Sequence, residues 1–332
     1  MKSDQVVEAG ARIWVGFQGT SFNGELKELI DEYRISGFVL FRRNIESSGQ
    51  LKELTSSIRK YVRSKLDREP NIAVDQEGGS VRRLFFVETP SAEELGKGSD
   101  ADLSSAVYKT AVSLRSHGIN VNLAPVLDVA TPKTPEFLRS RCFGSDPALV
   151  ARIGSLWIEL HQKHGIRCVA KHYPGLGRAT LDPHKEELSI YWLTPQQMWQ
   201  DLQPFSAAVS SRVWGIMVSH ASYPLWNSTP RAKPAFMSDL ACREWLRKRL
   251  SFQGIVFSDD LDMGAVKGKF TAEEIAWNAT MAGVDCFLVC NDINHAIEIH
   301  SALVELADRD KLFCKHHSYS AYRLLDQHRQ LL

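Results

Sequence analysis

GIVFSDD (254–260), TAEEIAWNATMAGV (271–284) and CFLVC (286–290) set a pattern that the rest of the chain repeats. An apolar run rich in Ile, Val and Phe ends in acids. A segment with apolar positions three and four apart follows, and then a second apolar run. Strands buried on both faces of a parallel sheet read as such continuous runs, and parallel strands are usually joined by a helix. Outward from this stretch the same kind of run recurs at RIWVGF (12–17), GFVLF (37–41), NIAVD (71–75), INVNLAPVLDV (119–129), RCVAKH (167–172) and GIMVSH (215–220). Helical spacing fills the gaps at 23–37, 47–62, 147–165, 194–209, 238–252 and 295–310, with Asn23 as the expected N-cap of the first and Gly37 as its stop.

Eight strand–helix repeats predict an α/β chain folded as a (β/α)8 TIM-type barrel. No composition shift marks a boundary, so residues 1–332 are read as one domain, closed by a C-terminal helix at about 311–328. An open doubly wound sheet shares this periodicity. The first run is not followed by GxGxxG, which counts against a dinucleotide-binding version.

The chain has 332 residues, 44% of them hydrophobic and 24% charged, enough to bury a large core without disulfides or a structural metal. Its net charge of +1 offers no basic excess to neutralise phosphates, so no nucleic acid partner is expected. The N-terminus MKSDQVVEAGARIWVGF lacks a signal-like apolar region, and no run is long enough to span a membrane. Six cysteines, none in a CxxC pair, read as buried free thiols. A cytoplasmic, monomeric protein is the expectation.

The ends of the runs carry unusual chemistry. In a barrel these ends gather at one rim, where active sites lie. Asp75 closes the third run, Lys171 and His172 the fifth, His220 the sixth, and Ser258, Asp259 and Asp260 the seventh. Asp259 could serve as a nucleophile, a metal ligand or a helix N-cap. In the loop KHYPGLGRATLDPHKEEL (171–188), Asp182 and His184 lie two apart, a spacing that lets a carboxylate orient an imidazole. The same spacing on a surface loop often means nothing. His161 and His164, in HQKH, read as a solvated helix face. The absence of HExxH and GxxxxGK[ST] argues against the familiar zinc hydrolase and phosphate-loop sites.

Seven segments in order, GFVLFRRN, VDQEGGSVRRL, NLAPVLDV, RCFGSDP, KHYPGLGRATLDPH, IMVSHASYP and GIVFSDDLDM, resemble glycoside hydrolase family 3. Within it the chain resembles the bacterial β-N-acetylglucosaminidases of peptidoglycan recycling, from about residue 11 to about residue 290. The resemblance implies that Asp259 is the nucleophile, His184 the acid/base and Asp182 its dyad partner. It also implies that Lys171, His172, Asp75, Arg83 and Arg141 hold the sugar. Pro183, Ser80, Tyr173 and Cys142 depart from the usual family residues.

So read, the chain is a retaining exo-β-N-acetylglucosaminidase. It removes terminal β-linked N-acetylglucosamine, from muropeptides or similar oligosaccharides, with no metal and no organic cofactor. A family-3 glucosidase, xylosidase or phosphorylase is an alternative, as is a barrel that binds sugar without turnover.

Overall fold

Each apolar run becomes a strand, because Val, Ile and Phe suit a pleat covered on both faces. In the computed structural model, which describes residues 2–179, 189–192, 194–226 and 233–326, these strands are β1 (Ile13–Gly16), β2 (Gly37–Leu40), β3 (Asn71–Val74), β4 (Val121–Asn122), β5 (Arg167–Tyr173), β6 (Gly215–Val218), β7 (Ile255–Asp260) and β8 (Cys286–Val289). Neighbours in sequence pair in parallel, and β8 pairs with β1, so the sheet closes into a barrel. The (β/α)8 expectation therefore holds, and the open-sheet alternative falls.

Alternation along the strands sorts side chains into two cores. Phe38, Leu40, Ile72, Val74, Ile216 and Phe287 belong to the large layer between barrel and helices. Trp14, Val39, Ala73, Val169, Met217 and Phe257 form a separate cluster, the barrel interior. Trp14 fills much of it, edge-on to Phe257 with ring centres 5.1 Å apart. Its register partner on β2 is Gly37, where a Cβ would lie 2.0 Å from the Trp14 ring. Gly37 thus makes room for an indole. It does not stop the preceding helix, which ends at Asp31, six residues earlier.

Helix starts follow capping chemistry. The Asn23 side chain accepts from the Leu26 amide, and Ser91, Ser99 and Thr271 each form a capping box. Elements that escaped the sequence reading include an N-terminal helix Lys2–Arg12, a hairpin pairing Gln76–Gly78 with Val81–Arg82, the short helices Ala92–Lys97 and Glu136–Arg139, and helix Asp100–Ser116. Helix Asp100–Ser116 buries a face containing Ala106, Thr110 and Ala111, so its polarity contrast is weak. Its Ser99–Asp102 capping box was the available signal. Segment Leu240–Arg249, expected as an α-helix, is wound as a π-helix, and its buried residues Ala241, Cys242 and Leu246 recur at the wider turn. No described helix is long and apolar enough to cross a membrane.

The barrel floor is tied by one carboxylate. Asp285, fully buried just before β8, accepts from the Val256 amide at 2.9 Å and pairs with Arg247 and Arg323. It thereby joins β7, the π-helix and the C-terminal helix Lys311–Asp326. Removing one partner of a buried ion network leaves uncompensated charge. Asp285→Ala is expected to lower the unfolding free energy by about 3–5 kcal/mol in urea titrations.

Candidate active site

The rim chemistry starts from a break in strand regularity. Adjacent residues on a regular strand face opposite sides. At the end of β5 the register against β6 shifts between Ala170 and Tyr173, and irregularities of this kind re-aim side chains. Lys171 and His172 accordingly both find polar partners at the barrel mouth. The Lys171–His172 and Tyr173–Pro174 peptide bonds are cis.

Lys171 is 3% exposed. Its ammonium donates to Asp75 Oδ1 at 2.7 Å and lies 2.6 Å from Glu77 Oε1. Arg141 forks onto Glu77, Nε to Oε2 at 2.7 Å and Nη2 to Oε1 at 2.9 Å. Arg83 reaches Asp75 Oδ2 at 3.3 Å and stacks over Phe41. His172 Nδ1 donates to Asp128 Oδ2 at 2.7 Å, which leaves Nε2 at 3.5 Å from Arg141 Nη2. Five predicted sugar-holding residues therefore converge: Asp75, Arg83, Arg141, Lys171 and His172.

Burial by itself would neutralise these groups. For Asp75 it pushes upward, but Lys171 and Arg83 outweigh it and hold the carboxyl below its ordinary range. Glu77 is held low against burial by Lys171 and Arg141. Burial would lower Lys171, yet Asp75 and Glu77 raise it above the ordinary lysine value. Each member keeps the others charged.

Asp259 sits at the end of β7 and accepts from the Asp260 amide at 2.8 Å. It shares the mouth with the cluster. His220, at the end of β6, feels both Asp259 and His172, and the Cys290 thiol feels Asp75, Asp259 and Asp260. The acids that follow have structural partners. Asp260 accepts from the Cys290 and Asp262 amides, and burial pushes its carboxyl up to about 6. Asp262 accepts from the Asn291 and Asp292 amides and from His295 Nδ1. Among the described residues, no group of three or more His, Cys, Asp or Glu is arranged to hold a metal.

Asp182 and His184 lie outside the described residues. The chain on either side of them is anchored. Leu176 donates its amide to Asp128 at 2.7 Å, and Tyr223 donates its hydroxyl to Gly175 O at 2.8 Å. A Cβ on Gly177 would strike Val129 O at 1.7 Å, so only glycine passes there. Buried Asp201 accepts from Arg178 on one side and Trp192 on the other.

Sequence reasoning passed over Glu77 and Asp128. Each stood inside a quoted motif, but nothing in the local pattern says that a carboxylate will face cations from another strand. His161 is a correction. It is fully buried and stacked on Trp157 at 3.6 Å, not solvated, and burial pushes its imidazole down to about 3. The packing of helix Pro147–Lys163 turns it inward.

The arrangement matches known proteins. The model of the glycosyl hydrolase family 3 N-terminal domain matches residues 4–326. A β-hexosaminidase of Thioalkalivibrio sulfidiphilus is 32% identical over 305 residues, covering 89% of this chain and 85% of that protein. A family 3 β-N-acetylglucosaminidase from a Paenibacillus species superposes with a TM-score of 0.89 at 27% identity over 98% of this chain, which spans only 62% of that longer protein. NagZ of Neisseria gonorrhoeae, solved with N-trifluoroacetyl-D-glucosamine, gives a TM-score of 0.76 at 26% identity, over 94% of this chain and 98% of that one.

Asp128 takes three donors, from His172 Nδ1 and the amides of His172 and Leu176. Leaving buried donors unpaired costs about 1–3 kcal/mol each. Asp128→Ala is expected to lower stability by at least about 2 kcal/mol in thermal unfolding.

Proposed function

Because the chain belongs to glycosyl hydrolase family 3, we propose that it is a retaining exo-β-N-acetylglucosaminidase, with Asp259 as nucleophile and His184 and Asp182 as acid/base dyad. It is a glycoside hydrolase of the β-N-acetylhexosaminidase kind, in line with its curated relatives. The observation that carries the finer reading is the ionised cluster of Lys171, Asp75 and Arg141, with His172 beside it, at the mouth that also holds Asp259.

The chemistry follows from those groups. Asp259, a carboxylate at a strand end, attacks the anomeric carbon from one face as the bond to the leaving oxygen breaks. His184, protonated, gives that oxygen its proton. The product is a glycosyl ester on Asp259, and neutral His184 then deprotonates the water that displaces it. Two inversions give net retention. Asp182 orients the imidazole and stabilises its cationic form, as the third member of a triad does. An imidazole of ordinary pKa, about 6.5, can serve both steps near neutral pH. Lys171, His172, Asp75, Arg83 and Arg141 bind the hydroxyls of the terminal sugar through charge-assisted hydrogen bonds. A pocket that grips one ring with five polar side chains suits exo action.

The substrate in this reading is a muropeptide carrying terminal N-acetylglucosamine. The six thiols are all free, in keeping with a reducing compartment, and we place the protein in the cytoplasm.

Paired aryl β-glycosides test the assignment. Wild type should prefer the N-acetylglucosaminide to the glucoside, and Asp259→Ala should abolish turnover. Preference for the glucoside would overturn the substrate. Dependence on added phosphate would make the enzyme a phosphorylase. His184→Ala should slow poor leaving groups about 100-fold or more, and activated aryl glycosides far less. Equal slowing of both would remove His184 from the acid role.

A further inference from the structure

Glu77 lies among the sugar-holding residues but has no free oxygen to offer a sugar. Its side chain is almost fully buried. Oε1 is shared between the Lys171 ammonium at 2.6 Å and Arg141 Nη2 at 2.9 Å, and Oε2 takes Arg141 Nε at 2.7 Å. We propose that Glu77 is a positioning residue, which sets the spacing and direction of Lys171 and Arg141 so that both can grip the terminal sugar. The proposal rests on the sugar-holding reading of those two side chains.

Three observations carry it. The first is charge. Lys171 and Arg141 approach one another through a single carboxylate oxygen, and without it two cations would face each other in a buried site. Asp75 cannot replace it, because its other oxygen is engaged by Arg83.

The second is rigidity. Glu77 sits in the hairpin that leaves β3, followed by Gly78 and Gly79 with φ of +107° and +55°. A Cβ on Gly78 would meet Pro90 O at 2.0 Å, and one on Gly79 would meet Ser91 Cβ at 2.7 Å. The preceding Gln76 exchanges hydrogen bonds with the Asn122 side chain on β4, 3.0 Å in each direction. The carboxylate is therefore held from both sides along the chain.

The third is reach. Lys171 comes from β5 and Arg141 from the loop after β4, and Glu77 is the group that bonds to both. Beyond its anchoring of two side chains, it keeps a buried ammonium charged. The groups facing Lys171 are Asp75, Glu77 and Arg141, and the two carboxylates outweigh the burial that would deprotonate it.

The isosteric variant Glu77→Gln tests the role, with Lys171→Met and the double variant closing a cycle. Binding of N-acetylglucosamine by calorimetry and kinetics on an activated aryl N-acetylglucosaminide are the readouts. Glu77→Gln should weaken N-acetylglucosamine binding and raise KM about tenfold or more, with kcat changed far less. It should also move the alkaline limb of kcat/KM to lower pH than in wild type, because Lys171 loses one of the two carboxylates that hold its proton. Glu77→Asp should recover part of the affinity. The double variant should lose less than the sum of the two single losses, since part of the effect of Glu77 runs through Lys171 and the rest through Arg141.

Unchanged sugar affinity and an unchanged pH profile in Glu77→Gln would overturn the proposal. So would loss confined to kcat or to thermal stability, or additive losses in the cycle. Sugar binding separates this idea from the reading it rests on. If Lys171→Met binds N-acetylglucosamine as well as wild type, the sugar-holding assignment itself fails. If Lys171→Met loses binding and Glu77→Gln does not, only the role of Glu77 fails.

Discussion

A lysine ammonium with 4% of its side chain exposed is the constraint around which the mouth is built. A bare charge at that depth would lose its proton or force the site open. Lys171 instead stands between two carboxylates that burial would themselves neutralise. The three charges survive only together, and Arg141 and Arg83 complete the balance. Such a cluster adds little net stability, because the attraction mostly offsets desolvation. Its value lies in arrangement. In the function proposed above, a sugar hydroxyl that enters would meet donors and acceptors already aimed, with no side chain to be ordered first.

The barrel makes that arrangement possible. Parallel strands around a closed sheet deliver their C-terminal ends to one rim. Asp75 and Glu77 arrive from the end of β3, Lys171 and His172 from β5, and Asp259 from β7. Regular strands would place neighbours on opposite faces, so the site depends on departures from regularity. The register shift on β5 turns Lys171 and His172 to partners at the mouth, and the glycine hairpin after β3 brings Glu77 back over it. At the other end Asp285 binds β7 and two helices, so the floor does not spread as the mouth is shaped.

Legibility was uneven for physical reasons. The eight strands stood out because both faces of a parallel sheet are covered, which leaves unbroken apolar runs. Helix Asp100–Ser116 did not, since alanine and threonine on its buried face blur the helical period. Gly37 was misread because a glycine after a helix pattern resembles a stop, whereas its reason is the Trp14 indole across the register. Asp75, Lys171 and Asp259 were visible as polar residues closing apolar runs. Asp128 and Glu77 were not, because their importance lies in partners 44 and 64 residues away along the chain.

By itself the sequence determined the fold class and the residue types at the rim. Periodicity and strand-end position are properties of short segments, and short segments carry them wherever they are placed. Tertiary structure alone decided which carboxylate meets which cation. Glu77, Lys171 and Arg141 come from three separate segments, and only barrel closure brings the two cations within 3 Å of the Glu77 carboxylate. At that distance, out of water, a bond between charges is strong enough to fix where each side chain points.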